Sequence, residues 1–86
     1  MKPIEELIRK HIAETMLFSR NGFPYSDDTL FLEAGILDST NVLQLVMFIE
    51  EQFGFTVNDR DVIPDNFDSV NRLSSYVRRA TAAAPN

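Results

Sequence analysis

The chain has 86 residues, of which 44% are hydrophobic and 24% charged, and its formal net charge is −5. This composition is ordinary for one small globular domain. With no cysteine and a single histidine, the chain has no disulfide framework, no thiolate and too few ligands for a zinc site. It also shows no secretory signal and no apolar run of membrane-spanning length, so we expect a cytoplasmic protein with no membrane partner.

The acidic residues are concentrated in the middle of the chain. No Lys or Arg occurs between Arg20 and Arg60, a stretch that contains Asp27, Asp28, Glu33, Asp38, Glu50, Glu51 and Asp59. Such a segment repels phosphate backbones, and we therefore expect no nucleic-acid partner. It is typical either of a solvated face that keeps the protein soluble or of a surface that meets a basic partner.

A first helix is predicted over about residues 3–20, because Pro3 suits a first helical turn and Asn21-Gly22 is a stop signal. His11 borders its apolar stripe and has no nucleophile or base near it in sequence, so we expect a packed residue rather than a catalyst. The predicted core stripe consists of Ile4, Leu7, Ile8, Ile12, Met16 and Phe18.

Residues 22–38 form a long loop, and a loop of this length in so small a domain is usually functional or packed on itself. We expect four apolar side chains to hold it on the core: Leu30, Leu32, Ile36 and Leu37. A second helix is predicted over about residues 40–53, and its core arc consists of Val42, Leu45, Val46, Ile49 and Phe53.

The opposite arc of the second helix carries two apolar residues, Leu43 and Met47, one turn apart and beside acidic residues. Either the long loop covers them or they belong to a docking surface, and the periodicity leaves both interpretations open. The whole arc consists of Thr40, Leu43, Gln44, Met47, Glu50 and Glu51.

A short helical turn is predicted before a last helix over about residues 69–80, capped by Asp68 or Ser69. Its predicted core residues are Val70, Leu73, Val77 and Ala80. The residues after position 80 are predicted to be a flexible tail. The expected fold is therefore all-α: a small bundle of three main helices and one short helix.

Asp38-Ser39 stands directly before the second helix, where either side chain could cap the helix. A second interpretation is that a group is attached to Ser39, since the start of a helix favours a phosphate. No base that could activate Ser39, no phosphate-binding loop and no metal-ligand cluster is evident in the sequence. We therefore predict that the chain is not an enzyme and has no catalytic residue.

The segment "LFLEAGILDSTNVLQLVMFIEEQFGF" resembles the central part of acyl carrier proteins and peptidyl carrier domains. It has a leader that ends Gly-x-x-Asp-Ser, an apolar helix behind it and an acidic-Phe ending. The later "PDNFDSVNRLSSYV" is similar to the third and fourth helices of that family, so the resemblance covers about residues 4–79. It implies a four-helix bundle of the acyl-carrier-protein type, with a carrier domain over residues 1–80 and a flexible tail over 81–86.

The resemblance implies that Ser39 is the attachment site for 4′-phosphopantetheine, which a phosphopantetheinyl transferase supplies from coenzyme A with magnesium. It implies that Asp38 supports this modification, and that acyl or aminoacyl groups travel as thioesters on the arm. An activating ligase would load them, and synthase or transferase enzymes would receive them. The implied partner-binding residues are Thr40, Leu43, Gln44, Met47, Glu50 and Glu51.

Two features refine this expectation. Thr40, Asn41 and Gln44 depart from the pattern of fatty-acid carriers, which points toward a specialised biosynthetic pathway. The chain is expected to be a free-standing monomer. The alternative from another class is an unmodified helical adaptor that binds a partner helix or peptide through the second helix. In that case Ser39 would be only a helix cap.

Overall fold

The computed structural model describes residues 3–83, and in this range it contains four α-helices, one 3-10 helix and no strand. The helices are α1 (Ile4–Thr15), α2 (Val42–Phe53), the 3-10 helix (Asp59–Asp61), α3 (Pro64–Phe67) and α4 (Val70–Ala83). Three long helices and one short helix confirm the predicted all-α bundle. No helix within the described residues combines the length and the apolar character needed to cross a bilayer.

One hydrophobic core joins the helices, and it contains the apolar positions that recur at helical spacing. Predicted core residues of α1, α2 and α4 that are fully buried are Ile8, Ile12, Leu45, Ile49, Val70, Leu73 and Val77. Val42, Val46 and Phe53 of α2 are partly buried against the same core. The predicted inner faces of α1, α2 and α4 are therefore confirmed at these positions, whereas the predicted core residues Leu7 and Ala80 are only partly buried.

Helix α1 ends at Thr15, well before the predicted end near residue 20. The chain closes behind it through a hydrogen bond from the Ser19 N–H to the Ala13 carbonyl, with N and O 2.8 Å apart. Between them Phe18 has a φ of +51°, which is the left-handed region. This backbone reverses the chain, leaves the Phe18 side chain 83% exposed, and makes its predicted place in the core stripe wrong.

The first part of the long loop is fixed to two helices. The Arg9 guanidinium donates two hydrogen bonds to the Asp27 carboxylate, each with N and O 2.7 Å apart. The Asn71 backbone N–H donates to the Asp27 carbonyl at 3.0 Å, and the Asn71 side chain donates to the Asp28 carboxylate at 2.6 Å. These bonds connect the loop to α1 and α4, so the loop packs on its own bundle.

The second part of the loop packs through Phe31, Ile36 and Leu37, all of them buried. The Phe31 N–H donates to the Asp68 carbonyl at 2.7 Å, and the Leu32 N–H donates to the Asp68 carboxylate at 2.9 Å. Ile36 and Leu37 lie as predicted, but Leu32 is 51% exposed, so its predicted core position is wrong. The reason is that the neighbouring Phe31 fills the core and turns Leu32 outward.

At the start of α4, the Ser69 Oγ accepts a hydrogen bond from the Arg72 N–H at 3.0 Å, so Ser69 is the cap. The helix continues to Ala83, three residues beyond its predicted end at residue 80. Residues 81–83 of the predicted flexible tail are therefore helical. The last part of that tail, residues 84–86, lies outside the described residues, and the domain boundary at residue 80 stays a prediction.

Candidate functional site

The turn before α2 is held by a reciprocal pair of side chains. The Asp38 Oδ1 accepts hydrogen bonds from the backbone N–H groups of Thr40 and Asn41, at 2.8 and 3.0 Å. In return, the Asn41 Oδ1 accepts from the Asp38 N–H at 2.7 Å. This is the reciprocal bonding pattern of a capping box, and it closes the turn of residues 38–41 directly before α2. The Val42 N–H donates to the Asp38 carbonyl at 3.1 Å, which connects the turn to α2.

Asn41 also connects this turn to the preceding loop. Its side-chain amide donates to the Ile36 carbonyl, with N and O 2.8 Å apart. One asparagine therefore fixes both sides of the Asp38-Ser39 turn. In the sequence Asn41 was notable only as a departure from fatty-acid carriers. Its structural role could have been predicted from its position, because Asn41 lies three residues after Asp38 and a capping box has this spacing.

Ser39 lies in this turn with its side chain exposed. Among residues 3–83 no hydrogen bond involves the Ser39 Oγ, and Asp38 already occupies the N–H groups of the turn. Ser39 therefore makes no capping bond, and the side chain that accepts the N–H groups of this turn is that of Asp38. What remains at Ser39 is a solvent-accessible hydroxyl on a rigid turn, a geometry that suits a covalently attached flexible group.

An apolar cavity of about 190 Å³ opens beside Ser39, between the start of α2 and the α3 region. Its apolar lining consists of Leu32, Leu37, Val42, Val62, Ile63 and Phe67. Typical small-molecule pockets measure roughly 300–1,000 Å³. The cavity can therefore accept a short apolar part of a group that extends from Ser39, and it is too small for a long chain.

The outer side of α2 exposes the two apolar residues that the sequence singled out. Leu43 is 64% exposed and Met47 is 54% exposed, so the long loop does not cover them. Gln44 and Glu51 are exposed on the same helix, and Thr40 is exposed in the turn before it, since α2 begins at Val42 and not at the predicted residue 40. This observation excludes the interpretation that the loop covers the pair, and a docking role of the surface stays a prediction.

Glu50 differs from the other residues predicted on this side. It is half-buried, and its Oε2 accepts a hydrogen bond from the Val57 N–H at 2.9 Å. The carboxylate thereby fixes the segment that follows α2 against the bundle. A role of Glu50 in partner binding stays a prediction, and its structural role was not evident from the sequence.

His11 is a packed residue, as predicted. Its ring stacks on Phe48 with ring centroids 3.9 Å apart and an angle of 12° between the planes. Burial lowers the pKa of His11, which keeps the imidazole neutral at physiological pH. Within residues 3–83, no group of three or more His, Cys, Asp or Glu side chains is arranged to hold a metal ion.

A protein-family model described as a phosphopantetheine attachment site matches residues 6–77. The chain belongs to the acyl and peptidyl carrier protein family. The chain is also similar to a D-alanyl carrier protein of Abiotrophia defectiva, with 31% identity over 51 residues. That alignment covers 59% of this chain and 65% of the relative, which is less than two thirds of the relative's length.

Membership assigns this carrier its cofactor, 4′-phosphopantetheine. The turn geometry fits the cofactor, since an accessible hydroxyl lies beside a small apolar cavity at the start of a helix. The structure brings Asp38 and Ser39 together in one turn, with Thr40 beside them. Leu43, Gln44, Met47 and Glu51 extend from it along the exposed side of α2.

Proposed function

We propose that Ser39 is the residue to which 4′-phosphopantetheine is attached, and that the protein holds acyl or aminoacyl groups as thioesters on that arm. The observation that supports this most directly is the exposed Ser39 hydroxyl, which has no structural hydrogen bond within the described residues. A serine that caps its helix would have its oxygen occupied. Here Asp38 accepts the N–H groups of the turn before α2 instead, so Ser39 is available for modification.

The chain needs no catalytic base of its own for this modification. A phosphopantetheinyl transferase brings coenzyme A and magnesium, and the Ser39 Oγ forms a new phosphoester bond. 3′,5′-ADP leaves with the electron pair of the broken P–O bond, and the serine proton passes to the transferase. Asp38 supports the reaction because its carboxylate lies next to Ser39 and can face the metal-bound diphosphate.

The cargo that the observations favour is small. The cavity beside Ser39 measures about 190 Å³, which cannot enclose a long acyl chain. The curated relative is named a D-alanyl carrier protein, so D-alanine is the first candidate for this chain as well. We propose an aminoacyl or short acyl cargo in a specialised pathway, with an activating ligase that loads it and a synthase or transferase that receives it.

Partner enzymes are proposed to dock on the exposed side of α2. Its apolar centre is Leu43 and Met47, and acidic Glu51 lies beside them. Opposite charge on the partner speeds the encounter, and docking is then expected to weaken as salt increases. The cytoplasmic location and the monomeric state stay part of this proposal.

The test is the intact mass of the protein after incubation with coenzyme A, magnesium and a broad-specificity phosphopantetheinyl transferase. We expect one added phosphopantetheinyl group on the wild type and none on Ser39→Ala. Ser75→Ala is the matched control, since it removes an exposed serine hydroxyl on α4, outside the predicted partner-binding residues, and should be modified normally. An unmodified wild type, with a transferase that modifies another carrier in the same reaction, would contradict the proposal.

That negative outcome would support the second candidate, an unmodified helical adaptor. The specific observation in its favour is the exposed apolar pair Leu43 and Met47, which could bind a partner helix without any modification. An adaptor would keep its binding in Ser39→Ala. A carrier would lose its function completely in the same variant.

A further inference from the structure

A second concave surface lies on the α1 side of α2. It is a shallow, open groove, which the end of α1 and the exposed side of α2 form together. From α1 and the residues after it come His11, Glu14, Thr15 and Phe18, and from α2 come Gln44, Met47, Phe48 and Glu51. The groove is therefore continuous with the proposed docking side of α2, since Gln44, Met47 and Glu51 belong to both.

Phe18 is the most unusual residue of this groove. Its side chain is 83% exposed, and its φ of +51° is a conformation that bulky side chains rarely adopt. The left-handed backbone costs stability because it is strained, and the exposed ring contributes little burial energy to offset that cost. Glycine would satisfy the same turn without the strain. The fold alone therefore gives no reason for a phenylalanine here.

The charges around the groove indicate what could fill it. Glu14 and Glu51 are both exposed, one on each helix that lines the groove. None of the residues that line it is a Lys or Arg. Its apolar part comes from Phe18, Met47 and the Phe48 ring. A partner that complements this groove would present an apolar side chain to its centre and a Lys or Arg to its glutamates.

The groove lies close enough to Ser39 for a single partner to cover both the groove and the Ser39 hydroxyl. At 1.5 Å per residue, Glu51 lies roughly 18 Å along the helix from Ser39. A standard interface covers about 800 Å² on each partner, a patch roughly 30 Å across. An enzyme that reaches the Ser39 hydroxyl along the exposed side of α2 therefore also covers the groove.

We propose that the groove between α1 and α2 receives an apolar side chain, flanked by Lys or Arg, of the phosphopantetheinyl transferase that modifies Ser39. Phe18 is then a docking residue of the carrier, and the strain at its backbone is retained because the partner uses the ring. This inference rests on the proposed function, since it assigns a contact surface to the enzyme that would carry out the modification.

The experiment measures kcat and KM for formation of the modified protein with coenzyme A, magnesium and the broad-specificity transferase. Phe18→Gly and Phe18→Asn remove the ring, and both residues tolerate a left-handed backbone. We expect the melting temperature of each variant to equal or exceed that of the wild type. We expect about a tenfold fall in kcat/KM, through a higher KM with kcat unchanged.

A charge pair tests the second part of the inference. Glu14→Lys places a cation on the groove, whereas Glu6→Lys makes the same change at an exposed site of α1 outside it. At low salt we expect Glu14→Lys to raise KM by about fivefold and Glu6→Lys by less than about twofold. The difference should shrink as salt is added, because screening weakens charge contacts.

The outcomes separate the two proposals. A wild type that is never modified contradicts the proposed function. A wild type that is modified, with both Phe18 variants within twofold of its kcat/KM, overturns the docking groove and leaves the carrier role intact. Equal KM values for Glu14→Lys and Glu6→Lys overturn it as well, because the groove would then contribute no charge recognition.

Discussion

Asp38 and Asn41 exchange hydrogen bonds across the turn that contains Ser39. The Asn41 N–H donates to the Asp38 carboxylate at 3.0 Å, and the Asp38 N–H donates to the Asn41 side-chain oxygen at 2.7 Å. The Ser39 side chain, which lies between them, takes no part in this exchange. Asp38 and Asn41 therefore stabilise the turn, while the Ser39 hydroxyl stays available for modification.

Loss of the Asp38 or Asn41 side chain is predicted to lower the free energy of unfolding more than loss of the Ser39 hydroxyl. Asp38→Ala and Asn41→Ala should each lower the free energy of unfolding by about 1 kcal/mol, since each removes a partner of the capping box. Ser39→Ala should lower it by less than about 0.5 kcal/mol, because its oxygen makes no hydrogen bond within the described residues. Urea denaturation of the unmodified proteins, followed by circular dichroism, measures all three values.

The double variant Asp38→Ala/Asn41→Ala provides the internal control. Because the two side chains bond each other's backbone, its loss should be smaller than the sum of the single losses. A Ser39→Ala loss as large as that of Asp38→Ala would show that Ser39 caps the helix. The claim of an available hydroxyl would then fail.

The sequence predicted the inner side of α2 and the exposure of Leu43 and Met47 correctly, because a period of 3.6 residues separates the two sides of a helix. It could not predict where α1 ends, since the closing residue, Phe18, adopts a left-handed backbone that Gly or Asn usually takes. In the loop, Phe31 and Leu32 are adjacent apolar residues without any periodicity. Only the bonds to Asp68 determine that Phe31 is the buried one.

At the site, the sequence identified Ser39 through its resemblance to carriers but left open whether Asp38 or Ser39 caps the helix. The spacing of Asp38 and Asn41 was a usable local signal, because a capping box needs a polar side chain three residues after the cap. The role of Glu50 had no such signal. Its bond to Val57 depends on how the chain returns after α2, which is a tertiary contact.

Glu50 and Glu51 are predicted to respond differently to the same substitution. Glu50→Ala should lower the free energy of unfolding by about 1 kcal/mol, because the N–H of the buried Val57 loses its acceptor. Glu51→Ala should leave stability unchanged and raise the KM for the transferase at low salt, because Glu51 is exposed. Thermal denaturation and modification kinetics on the two variants measure these effects.

Glu50→Gln is the matched control, since its amide oxygen can still accept from Val57 while its charge is removed. It should restore most of the stability that Glu50→Ala loses. Equal stability of Glu50→Ala and Glu51→Ala would contradict the structural role of Glu50.

The ion pair between Arg9 and Asp27 predicts a stability that depends on pH. The hydrogen bonds from Arg9 hold the pKa of Asp27 below its usual value, so the folded state favours the ionised carboxylate. This contribution is fully present above the unfolded-state pKa of about 3.9, and it is lost as pH falls through the lower folded-state pKa. Water screens the partly exposed pair, which limits its contribution to about 0.5–1 kcal/mol.

Asp27→Asn should therefore be less stable than the wild type at pH 6, and the difference should vanish toward pH 2. Urea denaturation at a series of pH values measures it. Glu33→Gln, an exposed change in the same loop, is the control and should show no comparable difference. A difference between wild type and Asp27→Asn that stays constant over this range would contradict the assignment.

Tyr76 is predicted to ionise only at strongly alkaline pH. Its side chain is 7% exposed, and its hydroxyl donates to the Asp61 Oδ2 at 3.0 Å. Burial, followed by this bond to a carboxylate, raises the pKa of Tyr76 to about 12. A raised folded-state pKa means that the stabilisation is complete below pH 10 and is lost as pH rises toward 12.

The chain has two tyrosines, so Tyr25→Phe leaves Tyr76 as the sole phenol and isolates its titration. Phenolate absorbance in this variant should stay low at pH 10, while circular dichroism shows that the fold is intact. Adding Tyr76→Phe should remove the stability loss between pH 10 and 12, because no phenol then remains to ionise. Phenolate formation at pH 10 in the folded Tyr25→Phe protein would contradict the bond to Asp61, since only a hydroxyl can donate to that carboxylate.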